Sequence, residues 1–157
     1  MRLNSLNSAS RTDLGLTVLR ATTGAIFVAH GVQKLFIYGV AGVSGGFAQM
    51  GIPMPAIAGP ATGAIELLGG LALMLGLFTR LAGVGLAMTM LGAIGFVHAA
   101  GGFFSPNGIE FPLALLGAAS ALAIAGAGRY SLDAVLARRR DTIAEPAPAI
   151  RPLRKAA

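Results

Sequence analysis

Two histidines and two carboxylates lie in or beside apolar stretches of this chain: His30 in AHGVQKLF, Glu66 in GAIELLGG, His98 in FVHAAGG and Glu110 in GIEFPLALL. Imidazole and carboxyl groups can pass protons between positioned partners, and that is the chemistry these residue types suggest. His30, Glu66 and His98 are the candidate catalytic groups. Gln33, Lys34, Asn107 and Glu110 are candidate ligand-binding groups, because they add hydrogen-bond donors and acceptors close by in sequence. The same side chains could ligate a metal, but their spacing follows no recognised ligand pattern and no metal is expected. The chain has no cysteine, which excludes a dithiol centre, a cysteine-bound metal and c-type haem attachment. Redox chemistry would therefore run through a bound cofactor or a partner.

Such residues need elements to hold them, and composition says which. Of the 157 residues 55% are hydrophobic and 11% charged, with mean hydropathy +0.74. A soluble domain carries about 25% charge, so the chain reads as a membrane protein. Four apolar segments run from about Leu14 to Tyr38, Ala56 to Phe78, Leu81 to Ala100 and Phe111 to Ala127. Each is near the ~17–25 residues a helix needs to cross ~30 Å of hydrocarbon. The expected fold is an all-α membrane protein, a four-transmembrane-helix bundle spanning residues 14–128.

The flanks have their own character. Residues 1–13 read as a polar tail rather than a cleaved signal peptide, because the apolar run after them exceeds an h-region and holds Arg20. Between the first two spans, Ser44 could cap a short interfacial helix that reaches Met50 and stops at Gly51. Pro106-Asn107-Gly108 signals a turn, and Pro112 suits the first turn of the fourth span. Ser131 can cap a short interfacial helix within 129–140, with Arg138–Arg140 near lipid phosphates. Residues 141–157 read as a disordered basic tail.

Lys and Arg set the orientation. One face collects Arg2, Arg11, Arg20, Arg80, Arg129, Arg138, Arg139, Arg140, Arg151, Arg154 and Lys155, and the other only Lys34. Cytoplasmic flanks are enriched in these residues, so both termini are expected in the cytoplasm. The net charge of +6 is thus a topology signal. No aromatic-interleaved basic patch points to nucleic acid.

At about 100° per residue, Arg20, Thr23, Phe27, His30 and Lys34 share one face of the first span. An ionisable group at membrane depth should face the bundle or a wet cavity. Glu66 lies on a face of Gly59, Thr62, Gly63, Gly69 and Gly70, where helices can approach closely. It needs a base or a retained proton. Arg20 is the expected structural partner, reaching up from the inner side, and His30 is the alternative. Lys34, His98 and Glu110 come from three spans near the external surface. Each also has a purely structural reading: Arg20 and Lys34 as snorkelling anchors, His98 as a helix C-cap, and Glu66 as half of a packing ion pair.

The fragments HGVQKLF, FAQMGIPMP, GAIELLGGLALMLGLFTRLAG, FVHAAGGFFSPNGIEFPLALL and GRYSLD occur in an order that resembles the DoxX family. The resemblance covers about residues 14–133. It implies a four-helix bacterial inner-membrane protein, and His30, Lys34, Glu66, His98 and Glu110 as the characteristic polar positions. It also implies association with a quinone-linked oxidoreductase, hence a quinone as the cofactor to test and a redox protein as partner.

Three functions compete. The first is a membrane subunit of an oxidoreductase assembly, inactive alone. The second is a proton-coupled or small-solute transporter with Glu66 as the coupling group and homo-oligomerisation to supply more spans. The third is a scaffold whose polar residues only pack the bundle. The lipid bilayer is a partner in all three.

Overall fold

The computed structural model describes residues 3–144, with side chains described for residues 8–140. The described chain is helical, with no strand among its residues. Helix α1 covers Leu3–Val32 and continues as a π-helical turn over Gln33–Ile37. Helix α2 is Gly39–Gln49, α3 is Pro55–Leu75 and α4 is Thr79–Gly92. A second π-helical stretch, Ala93–His98, and a short 3₁₀ turn, Ala99–Gly101, extend α4. Helices α5, Glu110–Ala125, and α6, Leu132–Ala144, complete the chain.

Three helices are long and apolar enough to cross a membrane: Ser8–Ile37, Pro55–Leu75 and Thr79–Gly101. The fourth, α5, has only 16 residues. It covers about 24 Å at ~1.5 Å per residue, short of a ~30 Å core. The result is an all-α, multi-pass membrane bundle. Pairs α1–α3 and α4–α5 pack along their lengths, and α3 joins them through α4. Phe27, Leu73, Leu86, Met90, Leu115, Ala119 and Leu122 form the buried core.

Without a hydrophobic drive between helices in lipid, close backbone approach must hold the pairs together. Glycine supplies it here. A Cβ on Gly24 would come within 2.6 Å of the Gly70 carbonyl oxygen, and one on Gly31 within 2.5 Å of the Leu67 backbone nitrogen.

One end of the bundle carries the start of α1, the α3–α4 turn and α6, and is called the terminal end below. Arg20 ties this end together. Its guanidinium donates to the carbonyls of Leu73 at 3.3 Å, Met74 at 2.8 Å and Tyr130. Asp133 accepts from the backbone N–H groups of Phe78 at 2.8 Å and Thr79 at 3.0 Å. It thereby caps α4 in trans. Asp13 accepts from the Arg129 N–H at 3.0 Å, and Ser131 caps α6 by accepting from the Ala134 N–H at 3.2 Å.

Two local expectations change. The stretch over 1–13 is already helical from Leu3. The connection after span one is not a short helix capped by Ser44: α2 starts at Gly39, with Ser44 in its interior. The reason is local. Gly39 adopts a positive φ of 70°, which bends the chain and restarts the helix six residues early. Gly51, also at φ 70°, closes the connection as expected. Helix α6 reaches Ala144, and the remainder of the expected tail lies outside the described residues.

Candidate functional site

The far end of the bundle, opposite the terminal end, holds the ionisable cluster. Gly63 lets α3 settle against α1, because a Cβ there would lie 2.9 Å from Leu35 Cδ2 and 3.2 Å from Lys34 Cβ. Glu66, one turn further along α3, then falls beside Lys34. The Lys34 ammonium donates to Glu66 Oε2 at 2.6 Å, with side-chain exposures of 20% and 4%.

This corrects the expected Arg20–Glu66 pair. Arg20 and Lys34 are 14 residues apart, or about 21 Å along α1. In the antiparallel α1–α3 pairing, Arg20 therefore meets the C-terminal carbonyls of α3. Arg20 and Thr23 are buried, so the predicted polar face does point inward.

Two cavities meet at the ion pair. The first, about 500 Å³, lies between α3 and α4; Lys34, Thr62, Glu66, Thr89 and His98 are its polar lining. The second, about 280 Å³, lies among α1, α4 and α5, with His30, Met90, Phe111 and Leu115 in its walls. Lys34, Glu66, Ala93 and His98 border both. The Lys34–Glu66 pair and His98 are thus the septum between them.

The remaining predicted residues divide. His30 joins the cluster; its ring meets Phe111 at 6.2 Å between centroids. His98 Nδ1 lies 3.1 Å from the Asn107 backbone carbonyl. A carbonyl only accepts, so Nδ1 carries the proton and Nε2 keeps its lone pair in the neutral ring. Asn107 contributes that carbonyl, while its exposed side chain lines neither cavity. Gln33 lines neither cavity as well; its carbonyl accepts the π-helical bond from Tyr38 N–H at 2.9 Å. Glu110, ahead of the fourth span, turns back to accept from Ser105 N–H at 2.7 Å. That bond holds its carboxyl below the usual carboxylate range. Its role in the loop is structural.

Sequence reasoning missed Thr89 and the importance of Ala93. Both depend on α4 being positioned against α3. It also missed both π-helical stretches, which carry Lys34 and His98. Single π turns inside helices recur at functional sites, but no residue type announces them. No cluster of three or more potential metal ligands exists among the described residues.

The DoxX family profile matches residues 15–99, more than half of the chain. The chain belongs to the DoxX family. A second profile, described as the TQO small subunit DoxD, matches residues 61–147. This DoxX protein is 36% identical over 121 residues to CatD of Bacillus subtilis, whose name assigns it provisionally to the oxidoreductases; the match covers 77% of the chain and 86% of CatD. It is 32% identical over 132 residues to an uncharacterised membrane protein of Mycobacterium tuberculosis, covering 77% of the chain and 80% of that protein. An uncharacterised Haemophilus influenzae protein is 36% identical over 122 residues, covering 75% and 87%. No solved structure matches this DoxX chain. It is a DoxX-like membrane protein related to an oxidoreductase subunit.

Proposed function

We propose that this chain is the membrane subunit of a bacterial oxidoreductase assembly, that its septum holds a quinone ring, and that both termini face the cytoplasm across the inner membrane. The observation that carries this reading is the Lys34–Glu66 ion pair, flanked by His30 and His98, at the common wall of two cavities. Buried charge is retained in a membrane only where it is paired, and it marks a pathway or site more often than lipid-facing residues do.

The donor set suits a ring with two carbonyl oxygens. Lys34 can donate to one carbonyl while still facing Glu66. The Thr62 hydroxyl lines the same cavity one turn before Glu66. Apolar walls from Ile65, Met88 and Phe96 would flank a flat ring. A bound quinone would supply two-electron, two-proton chemistry. The chain itself holds and moves protons: His98 Nε2 can accept one, and Glu66, once released from Lys34, can accept another. Electrons come from a redox partner in this reading, because the chain has no cysteine to build a dithiol centre or hold a metal.

Co-purification of the full chain in mild detergent, with extraction of quinone and identification of retained subunits, tests the proposal. A redox subunit and extractable quinone are expected. Glu66→Gln and His98→Gln should each cut quinone reduction by the assembly by about 10²-fold or more. A lone chain that binds no quinone would rule the reading out. The septum also suits a proton-coupled carrier, and solute flux in proteoliposomes that Glu66→Gln abolishes would favour that instead.

A further inference from the structure

The groove between α3 and α4 has an uneven character. Its polar residues lie at the septum. Its other walls include Ile65, Met88, Phe96 and Val97, which are exposed on membrane-spanning helices and so face acyl chains. Met88 is 62% exposed and Phe96 55%. Phe47 of α2, with Met50 and Ile52 just past that helix, lines it toward the far end. Its remaining open side is the bilayer.

The geometry of α3 and α4 explains the opening. At Gly69 the two helices touch, since a Cβ there would lie 3.1 Å from Leu86 Cγ. One turn and more beyond, Gly92 of α4 would add a Cβ into empty space, with nothing within 4 Å. The helix then widens into its π-helical stretch.

From this we infer that the α3–α4 groove is a lateral portal: a tailed, uncharged ring enters it from the bilayer, seats its head at the septum and leaves its hydrocarbon tail along Met88 and Phe96. The inference rests on the quinone reading above and adds the route and the tail site. Charge decides the class of head. The Lys34 ammonium of the septum is already matched by Glu66, so it offers a phosphate no uncompensated charge. An uncharged carbonyl head matches a neutral, donor-bearing wall. A volume of about 500 Å³ holds a ring and part of a chain. The smaller chamber beyond the septum, lined by His30, Pro106 and Phe111, is the proton side of this arrangement.

Gly92→Leu is the plug, because Gly92 lines the groove and a Cβ there meets nothing within 4 Å. Gly117→Leu is the matched control: it also meets nothing within 4 Å and lies outside the groove. Binding of a decyl-tailed benzoquinone and of its tail-less ring is measured in nanodiscs, corrected for partition into empty discs. Gly92→Leu should weaken the tailed compound by about tenfold or more, the loss of a few buried methylenes, and leave the tail-less ring within about twofold. Gly117→Leu should change neither. Equal binding of the tailed compound by wild type and Gly92→Leu would overturn the portal, as would equal losses for both compounds. Stoichiometric phospholipid that neither quinone displaces would overturn it too. If wild type binds neither compound, the quinone reading itself fails and the portal falls with it.

Discussion

Lys34 Nζ and Glu66 Oε2 stand 2.6 Å apart across the α1–α3 contact, on the boundary of two cavities. An ion pair in this position costs desolvation that its attraction repays only with good geometry, so its stability value and its chemical value can be separated by substitution.

Glu66→Gln or Lys34→Met alone leaves one charge buried without its partner. Each should lower unfolding free energy in detergent by about 2–3 kcal/mol, below the range for fully buried pairs because Lys34 keeps some exposure. The double variant Lys34→Met/Glu66→Leu should return close to wild-type stability while losing quinone binding. Thermal unfolding alongside ligand binding checks both halves. A double variant no more stable than the singles would show that the pair is not the coupled unit.

Arg20 and Asp133 clamp the terminal end, and neither reaches the cavities. Arg20→Lys keeps the charge but loses the fork that serves three carbonyls, and should cost about 1–3 kcal/mol. Asp133→Ala removes the cap on α4 and should cost about 1–2 kcal/mol. Hydrogen exchange should rise at Phe78, Thr79 and in α6 for both, with binding at the septum unchanged.

Gly31 stands against the Leu67 backbone, which cannot yield as a flexible side chain would. Gly31→Ala should therefore push α1 from α3 and destabilise by about 1–3 kcal/mol. Gly117→Ala, open on its outer side, should be neutral or slightly stabilising through helix propensity. Paired melting curves distinguish the two.

Glu110 carries a pH signature. Its carboxyl is held below the usual range by the Ser105 N–H, so the ionised form is favoured in the folded loop. The stabilisation is complete above the ordinary glutamate pKa of about 4.3 and fades as pH falls below it through the lowered folded value. Protection of the Ser105 amide should drop over that acidic interval. Glu110→Gln keeps a weaker, neutral acceptor and should abolish the transition, while Glu110→Ala should lose the protection at neutral pH as well.

The orientation, with both termini in the cytoplasm, is the remaining element of the proposal. Single cysteines added to this cysteine-free chain should label from the periplasm at Asn107 and resist impermeant reagents at Arg138. Reversed labelling would invert the arrangement.

The sequence by itself determined the membrane-spanning helices and the inward face of α1. Apolar runs of span length leave no other way to satisfy their backbone in lipid, and a 3.6-residue period places Arg20, Thr23 and Phe27 on one buried side. It also marked His30, Lys34, Glu66 and His98, because ionisable residues in such runs are rare. Only the tertiary structure decided the pairings. Partner choice depends on the vertical register of α1 against α3, set by Gly24, Gly31, Gly63 and Gly70, and a shift of a few turns would have given Glu66 to Arg20. The π-helical stretches and the groove beside Gly92 were hidden for the same reason. The groove is a property of how two helices diverge, and no single helix encodes that distance.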